Sequence, residues 1–203
     1  MNAHRRHSPW ARVSTLIAAV ISLSVPSLAQ EAPSPSSCAP PAPATRLATQ
    51  AAVRTIAKAP HYTQGLLIHN GRLYESAGMW GHSGVYVSAL DGSQARQLAA
   101  LDNDRFGEGL AIHGEHAFFL TYQAGTAYRY TLDDDGSFGA SARAPRAFSY
   151  DGQGWGLTSF AEHLLFSDGS AQLRVIRPGD FVEERRIDVR VADRPLRSLN
   201  ELE

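Results

Sequence analysis

Arg105-Phe106-Gly107-Glu108-Gly109-Leu110 sets one carboxylate between two glycines and beside an aromatic ring. Glycines at such positions let a backbone turn tightly or let another group approach closely, so Glu108 is expected to be displayed rather than packed. Taken alone, the run is explained by a loop glutamate in solvent. Recurrence argues otherwise. Gly-Leu returns at Gly65-Leu66, Gly109-Leu110 and Gly156-Leu157, preceded by Gln64, Glu108 and Trp155, and a weaker copy stands at Asn200-Glu201-Leu202. The preceding residues lie 44, 47 and 45 positions apart in turn.

Between these marks the chain from Ala51 onward is made of short apolar runs, often alternating and broken by Gly, Asp and Asn, which predicts an all-β domain. In the first unit, Leu66 to His69 and Arg72 to Ser76 form a hairpin closed by Asn70-Gly71, a strong hairpin signal, and Gly84 to Leu90 is a further strand. The second unit repeats the order with Leu110 to His113, Ala117 to Tyr122 and Ala127 to Leu132. The third does so with Leu157 to Phe160, Leu164 to Ser167, Gln172 to Ile176 and an outer strand Val182 to Val189. A period near ~45 residues with about four strands per unit predicts a β-propeller, four-stranded blades around a central channel. A β-sandwich also has regular strands but does not predict one residue column per unit. In a propeller that column converges, bringing Gln64, Glu108, Trp155 and Asn200 to one end of the channel with Tyr62 and Phe106 beside them. An amide, a carboxylate, an indole and a second amide in equivalent places suggest a binding site rather than a structural column.

The 203 residues carry 19 basic and 20 acidic side chains and a formal charge of -1. No basic run lies beyond residue 12, so nucleic-acid binding is not expected. Residues 1–29 read as an export signal: Arg5, Arg6 and Arg12, then an apolar stretch from Leu16 to Val25, then Ser27-Leu28-Ala29 for cleavage. The apolar stretch is too short to span a bilayer, so an exported protein without a membrane anchor is expected, periplasmic or secreted. Residues 30–50, rich in Pro, Ala and Ser, read as an extended linker. It holds the single Cys38, which cannot form an internal disulfide. Residues 51–203 form the folded domain, and Val53 to Lys58 is its first expected strand.

Six ordered motifs give these 153 or so residues a resemblance to a known family. They are Tyr62-Thr63-Gln64-Gly65-Leu66, Leu73-Tyr74-Glu75-Ser76-Ala77-Gly78, Phe106-Gly107-Glu108-Gly109-Leu110, Gly154-Trp155-Gly156-Leu157-Thr158, Phe166-Ser167-Asp168-Gly169-Ser170 and Leu199-Asn200-Glu201-Leu202-Glu203. Together they resemble the plant and bacterial glutamine cyclotransferases. The resemblance implies a five-bladed propeller that turns the N-terminal glutamine of peptides into pyroglutamate with release of ammonia. It implies no cofactor and no metal, unlike the animal glutaminyl cyclases, which use zinc, and a monomer at full length. Carried over by motif, Glu108 matches the catalytic acid/base, and Tyr62, Gln64, Phe106, Tyr122, Trp155 and Asn200 match pocket positions. Tyr62 stands where phenylalanine is usual, and Tyr122 where the family has tryptophan. The family continues through further blades after Asn-Glu-Leu-Glu, so the chain is expected to hold three repeats and the opening of a fourth, an incomplete propeller.

The chemistry suits these residue types. Cyclisation is attack of the tethered α-amine on the side-chain amide carbonyl, so aromatic walls that fold the glutamine back on itself supply much of the acceleration. A carboxyl group desolvated among such walls has a raised pKa and can pass the proton that the leaving ammonia needs. Gln64 and Asn200 can bind the substrate's polar groups without adding charge. His113 and His116 flank a turn without a third ligand at zinc spacing, and Asp133-Asp134-Asp135-Gly136 lacks the alternation of a calcium loop. Glu75 is left unassigned. Two other readings stay open: a non-catalytic propeller, an inactive fragment that binds peptide N-termini or another ligand, and a metal-dependent propeller hydrolase such as a lactonase. The latter needs several axial carboxylates, where only Glu108 stands in the column.

Overall fold

The computed structural model describes residues 61–138 and 144–203. The export signal read at 1–29, the linker read at 30–50 with Cys38 and the strand expected at Val53 to Lys58 lie outside the described residues. Twelve of the described strands form three four-stranded antiparallel sheets, each a simple meander. The first holds β1 (Thr63–His69), β2 (Arg72–Ala77), β3 (Gly84–Ala89) and β4 (Arg96–Ala100). The second holds β5 (Gly107–His113), β6 (His116–Thr121), β7 (Thr126–Thr131) and β8 (Arg146–Ser149). The third holds β9 (Leu157–Phe160), β10 (His163–Ser167), β11 (Gln172–Arg177) and β12 (Val182–Asp188). A small hairpin, β13 (Arg190–Val191) with β14 (Arg194–Pro195), follows. These are propeller blades: the first strand of each, β1, β5 and β9, packs beside the first strand of the next.

Asn70 and Gly71 both take positive φ, 47° and 71°, as the expected two-residue hairpin turn requires. The small hairpin and two of the blade strands were not anticipated in the sequence. β4 and β8 are the outermost strands of their blades and mostly half-buried or exposed, so neither carries a clear apolar alternation, although Phe148 of β8 is buried.

The core lies between blades. Phe119 and Leu110 pack with Tyr74, Val85 and Val87 of the first blade, whereas Phe118, Leu120 and Ala111 pack with Leu157, Leu164, Phe166 and Ile176 of the third. Successive residues of β5 and β6 thus face opposite neighbours, as strand geometry demands, and the unbroken run Ala117-Phe118-Phe119-Leu120 is the sequence of a strand buried on both faces. Phe181, closing the β11–β12 turn, stacks on Phe118 and Phe148.

Gly109 shows why the repeated Gly-Leu is needed. A Cβ there would stand 2.5 Å from the Leu157 amide nitrogen and 2.7 Å from the Trp155 carbonyl oxygen. Its own amide donates to that Trp155 oxygen at 2.7 Å. The glycine column is therefore the seam along which innermost strands meet backbone to backbone.

Candidate active site

Glu108 and Gln64 both sit in irregularities of innermost strands. The pairing of β1 with β2 slips between Thr63 and Gly65, and that of β5 with β6 between Gly107 and Leu110. A bulge re-aims the side chain it contains, and here it turns an amide and a carboxyl toward each other: Gln64 makes a side-chain hydrogen bond to Glu108.

The expectation that Glu108 is displayed is corrected by the structure, in which it is only 5% exposed. Its flanking glycines serve close packing rather than exposure. A Cβ on Gly107 would meet the Phe119 ring and stand 2.9 Å from the Ala77 carbonyl oxygen. Burial pushes the Glu108 carboxyl up to about 8, with the Gln64 hydrogen bond opposing the rise. Oε2 of Glu108 has no hydrogen-bond partner among the described residues. The cation of the same motif does not relieve it, because Arg105 is turned on to Asp102, Thr126 and the ring of Tyr128.

Phe106 is the centre of an aromatic group at the mouth. Tyr62 stands edge-on to it at 6.4 Å between ring centroids, Tyr122 edge-on at 6.1 Å and Trp80 tilted at 5.6 Å. Gly78 makes this packing possible, since a Cβ there would run into the Phe106 ring and come within 2.7 Å of Gln64 Cγ. Tyr62 is exposed, at 54%, so it forms rim rather than wall.

Trp155 and Asn200 enter the column chiefly through their backbones. The Trp155 carbonyl holds Gly109, its indole Nε1–H donates to Gln153 Oε1 at 3.0 Å, and its ring lies against Gly169. The Asn200 carbonyl accepts the Ser167 hydroxyl at 2.6 Å, while the residue as a whole is exposed. The structure thus draws Gln64, Phe106 and Glu108 together, with Tyr62, Tyr122, Trp155 and Asn200 around them.

Three residues near the site were not singled out in the sequence. Tyr150 donates its phenol to the Thr121 carbonyl; burial and the charge of Glu108 both raise its pKa, which reaches about 12. Trp80 is the second, carried on the β2–β3 turn. The third is Glu201, which occupies the place that glycine takes in the other three units and whose Oε1 lies 3.2 Å from where a Gly65 Cβ would be. Burial, followed by the charges of Glu203 and Glu108, pushes the Glu201 carboxyl up to about 9, opposed by the Leu66 amide turned toward it. A second carboxyl therefore lies close enough to Glu108 to feel its charge, although it stands one position outside the column of Gln64, Glu108, Trp155 and Asn200. Its signal was the break in the glycine column. Glu75, unassigned in the sequence, is buried and accepts the Thr63 hydroxyl at 2.5 Å. His113 and His116 pair across the β5–β6 turn, and among the described residues no three His, Cys, Asp or Glu side chains are grouped to hold a metal.

Against known proteins, the profile of a family described as glutamine cyclotransferase matches residues 20–203. The chain is 32% identical over 157 residues to a glutaminyl-peptide cyclotransferase of Arabidopsis thaliana, covering 74% of this chain and 47% of that protein. The crystal structure of Myxococcus xanthus glutaminyl cyclase superposes with a TM-score of 0.57 at 28% identity, over 70% of this chain and 56% of that one. The chain spans about half the length of these relatives.

Proposed function

The chain belongs to the glutamine cyclotransferase family, and from that premise we propose that the protein cyclises N-terminal glutamine on peptides, with Glu108 as the group that moves the proton. The observation that carries the reading is a single one: a carboxyl buried on the innermost strand β5, hydrogen-bonded to Gln64, two residues from Phe106, with its pKa raised to about 8. An acid/base near its working pH is the best placed to give and take a proton in one cycle.

In this reading the substrate's glutamine folds back against Phe106 so that its neutral α-amine reaches the side-chain carbonyl carbon. A carbon–nitrogen bond forms and closes the five-membered ring. Protonated Glu108 gives its proton to the departing amide nitrogen, whose bond to carbon breaks, and ammonia leaves. The carboxylate then takes the proton that the attacking amine sheds, so Glu108 ends as it began. Gln64 holds the carboxyl in place throughout, and the bulge that aims it leaves little reorganisation for the reaction itself.

The test is direct. Incubated with a synthetic peptide that begins with glutamine, the protein as encoded should yield a product lighter by one ammonia and blocked at its N-terminus. The same peptide beginning with asparagine should be turned over far more slowly, since its side chain is one methylene too short to close the five-membered ring. No product from the glutamine peptide would contradict the reading.

A further inference from the structure

Trp80 is a large apolar side chain left 52% exposed, with Met79 next to it in the chain at 47%, and Tyr62, which packs on the same Phe106 ring as Trp80, is 54% exposed. Trp80 is held there firmly. The buried Ser83 hydroxyl accepts the Met79 amide at 3.0 Å and donates to the Met79 carbonyl at 2.9 Å, and the His82 amide closes the turn on that same carbonyl at 2.8 Å. The same Ser83 oxygen accepts the Gly107 amide at 3.0 Å. One hydroxyl thus ties the turn that carries Trp80 to the strand that carries Glu108. An exposed indole and an exposed phenol packed on the same ring, Phe106, group apolar surface where a ligand can cover it.

The position decides what that is. Both reacting groups of the substrate belong to its first residue and must reach Glu108, so the rest of the peptide leaves across the rim. Trp80 and Tyr62 flank Phe106 on that rim. We propose that Trp80 and Tyr62 form the subsite for the residue following the N-terminal glutamine, and that this subsite takes an apolar or aromatic side chain. The proposal rests on the cyclase reading given above.

The experiment compares two peptides, identical except for phenylalanine or glycine after the N-terminal glutamine, on the wild type, Trp80→Ala and Trp80→Phe. The wild type should favour the phenylalanine peptide. In Trp80→Ala the ratio of the two kcat/KM values should fall about three- to tenfold, the range of an aromatic pair, through KM rather than kcat. Trp80→Phe should recover most of the preference. Tyr62→Ala, read the same way, should lower the ratio too, which guards against misfolding of a single variant. Equal effects on both peptides, or a ratio that no variant changes, would overturn the subsite while leaving the cyclase reading intact. Failure of the wild type to cyclise either peptide would overturn both.

Discussion

The hydroxyl of Ser76, on the first blade, donates to the backbone carbonyl of Glu108, on the second, at 2.6 Å. A strand of one blade thereby fixes the backbone that aims the carboxyl of the next. The Ser167 hydroxyl does the same for the Asn200 carbonyl. Ser76→Ala leaves the Glu108 carbonyl without this donor in a buried place and should cost about 1–3 kcal/mol. Thermal unfolding monitored by circular dichroism checks this, and an unchanged midpoint would show the bond to be dispensable.

Gln64 lowers the proton affinity of Glu108 by hydrogen-bonding to it. Gln64→Leu removes that stabilisation of the carboxylate, so the Glu108 pKa should rise above about 8. The limb of the pH profile of kcat/KM that reports this group should move to higher pH in the variant. A limb that stays in place or moves down would contradict the arrangement.

Glu201 and Glu108 have the opposite sign from a salt-bridged carboxylate. Both are raised from about 4.5, to about 9 and about 8, so between these values the folded state keeps protons that the unfolded chain has lost. Stability from these groups is therefore fully present below about 4.5 and lost as pH climbs toward 9. Glu201→Gln removes one titration, so its midpoint should gain on the wild type progressively from pH 5 to pH 9. A difference independent of pH would show that Glu201 is solvated.

Phe119 is fully buried between the first two blades. Phe119→Ala should cost about 3–5 kcal/mol, whereas Phe160→Ala, at a position 49% exposed, should cost far less. Chemical denaturation of the two variants compares them directly, and similar losses would contradict the inter-blade core.

Those elements that repeat were legible in the sequence. Gly65, Gly109 and Gly156 stand at a backbone seam that admits no side chain, so the geometry imposes the same residue once per blade and the period shows through. β4 and β8 were not legible, because an outermost strand needs only backbone pairing on one side and leaves little trace in hydrophobic alternation. At the site, Gln64, Glu108 and Trp155 were found because each precedes a seam glycine. Trp80 and Tyr150 were missed because their place depends on how a turn folds back over Phe106 and how a phenol reaches Thr121. Burial of Glu108 was concealed for a related reason: the glycines around it read as freedom, yet they are there to let Phe119 and the Leu157 strand close in.

Glu108, proposed to move the proton in cyclisation, loses that ability in Glu108→Gln. Glutamine keeps the shape of the side chain and its hydrogen-bonding reach but cannot exchange a proton at this pH. Ammonia release from a glutamine-initiated peptide, followed in a coupled assay, should fall by about 10²–10⁴, with thermal unfolding no lower than in the wild type. Release at a rate near that of the wild type would contradict the account.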